Sequence, residues 1–163
     1  MSEFSGEFSN KVALVTGSSS GIGEAIARPL SALGASVVIN SARSVEAGTR
    51  IAAELGKEAF YVPADISHKA AGNWLLTKAA LNQMTRLLAK SCAPVRVNAV
   101  APGLVETPWT KDWQAQHEAV KARAPLKRSA KPDDCVEATL GLLRSRYATG
   151  QIFVVDGGLS LTI

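Results

Sequence analysis

A short apolar segment that runs into a glycine-rich loop and then into an amphipathic helix constrains this chain most. Residues 11–15 have the apolar character that a buried parallel strand requires. Gly17, Gly21 and Gly23 follow, and apolar residues then recur at helical spacing. A glycine loop at a helix N-terminus suits a phosphate, because free N–H groups point outward and no Cβ blocks the approach. The stretch predicts a nucleotide-binding unit, with an ordinary strand-to-helix turn as the alternative.

The alternation of strands and helices continues beyond this loop. Residues 35–40 predict a second strand, and residues 59–62 predict a third. Between them, residues 44–55 predict a helix with Ser44 as its N-cap and Gly56 as its terminator. This order predicts right-handed crossovers and an α/β fold with a doubly wound parallel sheet.

The second half of the chain resumes the same pattern. Residues 81–92 predict a long helix whose apolar side carries Met84, Leu87 and Leu88. The remaining predicted elements are a buried strand over 95–100, a ligand-facing loop over 101–108, a helix over 132–143 and a strand over 151–155. We expect a flexible segment over residues 1–10 and one dinucleotide-binding domain over residues 11–163.

Composition excludes several classes of protein. The net charge is +4, the hydrophobic content is 47%, and the basic residues are scattered without interleaved aromatic residues, so we expect no nucleic-acid partner. No apolar run reaches the roughly 18–20 residues that span a bilayer. Cys92, Cys135, His68 and His117 lack the spacing of metal ligands, so we expect no metal site. The two cysteines stand alone in the sequence, which is typical of reduced thiols, so we expect a cytoplasmic location.

The end of the second predicted strand bears on cofactor choice. In dinucleotide-binding folds an acidic residue here holds the ribose 2′-hydroxyl, whereas an arginine accommodates a 2′-phosphate. This chain has no acid there, but it has Ser41 and Arg43. We therefore predict that NADP(H) is preferred, with both residues on the 2′-phosphate, and that NAD(H) remains possible. The alternative is that Arg43 is only a surface residue.

Several motifs, taken together and in order, resemble those of the short-chain dehydrogenase/reductase family, in particular its carbonyl and 3-oxoacyl-carrier-protein reductases. The motifs lie at residues 16–23, 64–66, 96–103, 107–108 and 150–158. The resemblance implies a Rossmann-like fold and an NADP(H)-dependent oxidoreductase that reduces a ketone or oxidises a secondary alcohol. It also implies a homo-oligomer, typically a tetramer.

The same resemblance implies which residues contact the cofactor. In the glycine loop these residues are Gly17, Ser19, Ser20, Gly21, Ile22 and Gly23. Asp65 and Ile66 would flank the adenine, with a turn or helix-cap acid as the alternative for Asp65. Those that would line the nicotinamide and its phosphate are Pro102, Gly103, Val105 and Thr107, and the alternative is a plain Pro-Gly turn. Trp109 and Trp113 lie in a variable lid segment, where they either line an apolar substrate or pack the lid down.

The chain departs from the family between Ile66 and Leu81. The family has strands 4 and 5, a catalytic Ser and a Tyr-x-x-x-Lys motif in this region. Here Lys78 lies where the Lys of that motif belongs, but Trp74 occupies the position of the Tyr. An indole N–H cannot exchange a proton near neutral pH. Lys78 is therefore the one catalytic residue that the resemblance supplies, with a solvated surface lysine of an amphipathic helix as the alternative. A non-catalytic nucleotide-binding or subunit-interaction remnant is the alternative function.

The missing segment has two explanations. Either residues of the protein are omitted between Ile66 and Leu81, or the chain is a deletion product. A chain that truly lacks strands 4 and 5 leaves the predicted first strand without a neighbour on one side, which is an open sheet edge.

Overall fold

A computed structural model of the chain describes residues 6–56, 58–63 and 74–162, with the side chains of residues 74–80 outside the description. The elements are β1 (Val12–Val15), α1 (Gly21–Ala32), β2 (Ser36–Ser41), α2 (Val45–Leu55), β3 (Ala59–Pro63), α3 (Trp74–Ser91), β4 (Ala99–Pro102), α4 (Gln114–Arg123), α5 (Pro132–Arg144) and β5 (Ile152–Val155), followed by a 3₁₀ helix over Leu159–Thr162. They fall into two compact units, Met1–His68 with Thr107–Trp109, and Lys69–Glu106 with Thr110–Ile163. The prediction of one domain over residues 11–163 stays a prediction.

The first unit is built on a three-stranded parallel sheet in the order β1-β2-β3. Val15 pairs with Ile39, and Ile39 pairs with Tyr61, so the three strands end at the same edge. Helices α1 and α2 both pack on β2. Val37 and Ile39 of β2 are fully buried, as the continuous apolar run of a central parallel strand predicts. The predicted α/β architecture with a parallel sheet is confirmed.

One side of β1 lacks a strand partner among the described residues. Val12 and Leu14, on one face of this strand, are 73% and 65% exposed. This agrees with the open edge that the missing family strands predict. Exposed apolar side chains on an unpaired strand favour association or aggregation.

The second unit contains the parallel pair β4 and β5, in which Ala99 pairs with Ile152 and Pro102 with Val155. Helix α5 packs on both strands. The Arg96 guanidinium, ahead of β4, donates hydrogen bonds to three carbonyl oxygens at the end of α5. These belong to Leu142 (3.0 Å), Leu143 (2.9 Å) and Ser145 (2.9 Å). A helix C-terminus leaves such carbonyls without partners, so Arg96 serves as its cap.

The opposite end of α5 is fixed by Asp134. Its carboxylate accepts the Lys131 N–H at 2.6 Å and both arms of the Arg128 guanidinium at 2.7 Å. These two partners, Arg128 first, lower the pKa of the Asp134 carboxyl from 3.8 to about 2. The carboxylate therefore stays charged and satisfies the backbone N–H of Lys131 at the helix start.

The structure corrects one prediction in this unit. The strand predicted over residues 95–100 begins only at Ala99, because Val97 N–H donates to the Thr149 hydroxyl and the Asn98 amide donates to the Ala148 carbonyl instead of a strand ladder. The apolar side of α3 is exposed, and its buried positions include Thr85 and Ala89. Helix α3 begins at Trp74, earlier than the start at residue 81 that the sequence predicts.

Gly48, in the middle of α2, is explained by a contact that the sequence does not reveal. A Cβ at this position would overlap Cε2 and Cδ2 of the Tyr61 ring on β3. Glycine costs a helix interior about 1 kcal/mol relative to alanine. Helix α2 accepts this cost because the ring of Tyr61 packs directly against its backbone.

We expect Gly48→Ala to lower the free energy of unfolding by about 1 kcal/mol or more, because overpacking at Tyr61 outweighs the gain in helix propensity. Gly141→Ala is the matched control, since a Cβ at Gly141 in α5 meets nothing within 4 Å. The control should stabilise the protein by about 0.5–1 kcal/mol. Urea unfolding followed by circular dichroism measures both, and equal stabilisation by the two variants would contradict the packing explanation.

Candidate functional site

The loop between β1 and α1 has the backbone geometry that only glycine adopts readily. Gly17 and Gly21 have φ angles of +65° and +58°, in the left-handed region. A Cβ at Gly23 would lie 2.5 Å from the carbonyl oxygen of Gly17. Gly23 therefore permits the close approach of α1 to the loop. Gly17 and Gly21 are required by their φ angles, and Gly23 is required by this close approach.

The N-terminus of α1 faces this loop without a side-chain cap. Ser20 occupies the N-cap position, but its hydroxyl makes no capping hydrogen bond. A Cβ at Gly17 would meet nothing within 4 Å, whereas one at Gly21 would lie 3.5 Å from Thr107. The structure thus places Thr107 beside the glycine loop, as expected for two parts of one site. Open space, uncapped N–H groups and the positive end of the helix dipole fit a pyrophosphate.

Ser18 holds the loop in place, and sequence analysis did not identify it. It is fully buried. Its hydroxyl donates to the Val15 carbonyl at 2.6 Å and accepts the Asn40 N–H at 3.0 Å, while its own N–H donates to the Asn40 carbonyl at 2.9 Å. Ser18 therefore joins the carboxyl ends of β1 and β2. The sequence signal for Ser18 was its small polar side chain at a position between Gly17 and Gly21.

At the end of β2, the structure brings Ser41 against Tyr61. The two hydroxyl oxygens lie 3.1 Å apart, and the Tyr61 hydroxyl lies 3.2 Å from the Ser41 carbonyl oxygen. The Asn40 amide donates to the Val62 carbonyl at 3.0 Å. Arg43 is exposed just beyond the strand. Tyr61 is a second residue that sequence analysis did not include in the site.

The predicted nicotinamide-binding segment follows β4 in the second unit. Pro102 is the last residue of β4, and Gly103 N–H donates to the Val155 carbonyl at 2.9 Å. A Cβ at Gly103 would lie 2.9 Å from Cβ of Asp156, so glycine is required for this approach. Val105 is buried and forms a parallel bridge with Ala130. These contacts give the segment a fixed backbone within its own unit.

Asp156 shapes the turn that supports this segment. Its carboxylate accepts the N–H groups of Gly158 and Ser160, each at 2.8 Å. Burial acts to raise the pKa of the Asp156 carboxyl, but the hydrogen bonds from Ser160 and Gly158 together outweigh it, so the pKa is lowered. The charged carboxylate keeps the turn closed at neutral pH.

Three predicted site residues cannot be placed in this way. Asp65 and Ile66 lie outside the described residues, and Lys78 lies in α3 with its side chain outside the description. Their roles stay predictions.

The lid segment contains α4. Trp109 is exposed, and Trp113 immediately precedes the helix and is also exposed. Whether they line a substrate or pack the lid down stays open. His117 is buried instead, with its ring nitrogens 2.7 Å from the Ser129 hydroxyl and 3.1 Å from the Thr110 carbonyl oxygen.

The described part of the chain has neither a cluster of metal-ligating side chains nor a membrane-spanning helix. No group of three or more His, Cys, Asp or Glu side chains is arranged to hold a metal ion there. No described helix is long and apolar enough to cross a membrane.

Comparison with protein families identifies the class. A model described as short chain dehydrogenase matches residues 11–77, and one described as enoyl-(acyl carrier protein) reductase matches residues 70–160. A ketoacyl reductase of the granaticin polyketide synthase of Streptomyces violaceoruber is 35% identical over 240 residues, covering 92% of this chain and 96% of the relative. The chain belongs to the short-chain dehydrogenase/reductase family.

Other relatives match a smaller part. Human 3-oxoacyl-[acyl-carrier-protein] reductase is 43% identical over 89 residues, which are 53% of this chain and 37% of the relative. Among solved structures, a short-chain dehydrogenase/reductase family protein has a TM-score of 0.78 at 25% identity, with 93% of this chain and 98% of that chain covered. A short-chain dehydrogenase/reductase from Brucella melitensis has a TM-score of 0.84 at 23% identity, with 94% and 98% covered. These confirm the Rossmann-type fold.

The comparisons also bear on the missing segment. The alignment with the Streptomyces relative spans 240 positions although this chain has 163 residues, so it steps over positions that the relative has and this chain lacks. The two family models meet at residues 70–77, between Ile66 and Leu81. The predicted interruption of the family pattern is located there.

We expect Ser18→Ala to lower the free energy of unfolding by about 2 kcal/mol, because it leaves the Val15 carbonyl and the Asn40 N–H without their buried partner. Ser20→Ala is the control, since Ser20 is exposed and makes no capping bond. It should change stability by less than about 0.5 kcal/mol. Urea unfolding measures both, and a Ser18→Ala variant as stable as the control would contradict the assigned role.

Proposed function

We propose that this chain is an NADP(H)-dependent oxidoreductase that reduces a ketone or oxidises a secondary alcohol. The observation that carries the proposal is the glycine loop, where Gly17, Gly21 and Gly23 leave an uncapped helix N-terminus open to a pyrophosphate. The ketoacyl and 3-oxoacyl reductases among the relatives support the substrate class. A solved structure of similar fold from Agrobacterium tumefaciens contains bound NADP.

The proposed roles follow from the positions of the residues. The bound cofactor would supply the hydride, and the protein would bind, orient and exchange a proton. The backbone around Ser19, Ser20 and Ile22 would hold the pyrophosphate. Ser41 and the exposed Arg43 would face the 2′-phosphate, and no acid beside them would repel it. Lys78 would hold the nicotinamide ribose.

A second function is favoured by a specific observation. Trp74, four residues before Lys78 on α3, stands where the family has its proton-donating tyrosine. A chain without that tyrosine, and without the serine of the missing segment, would bind nucleotide but not turn it over. The alternative is therefore a non-catalytic nucleotide-binding or subunit-interaction protein.

We further propose a cytoplasmic homo-oligomer. The free cysteines Cys92 and Cys135 suit a reducing compartment. A groove of about 490 Å³ between α5 and β5, lined by residues that include Leu142, Phe153 and Val155, supports a subunit contact. Phe153 is exposed there.

Cofactor titration by NADPH fluorescence tests the binding proposal. We expect the native chain to bind NADPH more tightly than NADH, and Arg43→Ala to reduce this ratio by about fivefold or more through loss of a charge-assisted hydrogen bond. Gly23→Ala should abolish binding of both, because its Cβ meets the Gly17 carbonyl. An NADPH/NADH ratio unchanged in Arg43→Ala would refute the phosphate assignment.

Turnover separates the two functions. We expect NADPH oxidation with a panel of 3-oxoacyl thioesters and simple ketones, read as loss of absorbance. Trp74→Tyr should raise the rate of NADPH oxidation by up to roughly 10²-fold, because a positioned general acid contributes about that factor. Adding Lys78→Ala to Trp74→Tyr should remove that gain. Binding of NADPH without turnover in any variant would establish the non-catalytic alternative.

A further inference from the structure

Two hydroxyls at the end of β2 determine what a ligand meets there. The Tyr61 hydroxyl lies 3.1 Å from the Ser41 hydroxyl and 3.2 Å from the Ser41 carbonyl oxygen. A hydroxyl has a single proton to donate, so Tyr61 donates to the Ser41 carbonyl oxygen in one arrangement of the pair and to the Ser41 hydroxyl in the other. They differ in whether the Ser41 hydroxyl can donate to anything else.

In the first arrangement Tyr61 donates to the Ser41 carbonyl oxygen, and the Ser41 hydroxyl donates to Tyr61. Two hydrogen bonds then join the residues, and the Ser41 oxygen offers only lone pairs to a ligand. In the second arrangement Tyr61 donates to the Ser41 hydroxyl, whose proton becomes free. Only one hydrogen bond then joins the pair, so the first arrangement is the stable one.

Burial of Ser41 and packing of the Tyr61 ring increase the energy difference between the two arrangements. Ser41 is only 8% exposed, so water does little to compensate a mispaired hydroxyl. The ring of Tyr61 packs against Gly48, where even a Cβ has no room. The phenol is therefore held beside Ser41 and cannot move towards α2.

We propose that Tyr61 is a specificity-determining residue that turns the Ser41 hydroxyl into a hydrogen-bond acceptor and so moderates the preference for NADP(H). A ribose 2′-hydroxyl can donate to such an acceptor, whereas a 2′-phosphate has only acceptor oxygens and must first break a Tyr61–Ser41 bond. The inference rests on the proposed cofactor site. It refines the proposed cofactor site: Arg43 attracts the 2′-phosphate, Ser41 can donate to that phosphate only after its hydrogen bond to Tyr61 is broken, and Tyr61 accounts for the tolerance of NAD(H).

The test compares dissociation constants of NADPH and NADH for the native chain and Tyr61→Phe. We expect Tyr61→Phe to bind NADPH about fivefold more tightly, the equivalent of one hydrogen bond no longer broken, and to bind NADH as before. Tyr147→Phe is the matched control, because Tyr147 is the other tyrosine and is fully exposed. It should change neither constant. A parallel loss of both affinities in Tyr61→Phe would indicate a merely structural residue and overturn the proposal.

Ser41→Ala provides an independent check on the same folded scaffold. Because the native Ser41 hydroxyl is an acceptor, its removal should weaken NADH binding more than NADPH binding. In the Ser41→Ala background, adding Tyr61→Phe should leave the NADPH/NADH ratio unchanged. A larger loss of NADPH binding in Ser41→Ala, or a ratio that still moves in the double variant, would refute the proposal.

These outcomes are distinguishable from failure of the proposed function. A native chain that binds neither nucleotide removes the cofactor site and this inference together. A native chain that binds NADPH, with a ratio that Tyr61→Phe does not change, removes only the role of Tyr61.

Discussion

The buried hydroxyl of Ser18 is the interaction on which the candidate cofactor site depends. It satisfies the Val15 carbonyl and the Asn40 N–H, and its backbone N–H returns a bond to Asn40. The ends of β1 and β2 are thereby tied together at the point where the glycine loop departs. The glycine loop and the Ser41–Tyr61 pair consequently share one rigid support, and a buried network with all partners satisfied is what gives such a support its rigidity.

The same unit shows what happens when part of a sheet lacks its neighbours. Strand β2 is covered on both edges and carries the fully buried Val37 and Ile39, whereas β1 exposes Val12 and Leu14. In the second unit, the apolar side of α3 is also exposed. The alignment with the Streptomyces relative spans positions that this chain lacks, and apolar residues of both units are left exposed. Apolar periodicity predicts which side of a strand or helix is suited to burial, and an exposed apolar patch is typical of an interaction surface.

The residues of the candidate site that could be predicted from the sequence are those that determine the backbone conformation. Gly17, Gly21 and Gly23 are recognisable because positive φ angles and close backbone approach exclude other residues. Thr107 is also found beside Gly21, as the family resemblance implies. Ser18, Gly48 and Tyr61 were not foreseen, because each acts through a side-chain contact between elements that lie 13 to 22 residues apart.

Periodicity and glycine spacing were enough to predict the parallel α/β architecture and a glycine loop between β1 and α1, because these depend on local backbone preferences and on the order of elements. They failed at residues 95–100, where side chains of Asn98 and Thr149 take the hydrogen bonds of the expected strand. The contact between the Ser41 and Tyr61 hydroxyls likewise required the tertiary structure. Strand register brings Tyr61 beside Ile39 and so within reach of Ser41, and no spacing along the chain encodes that distance.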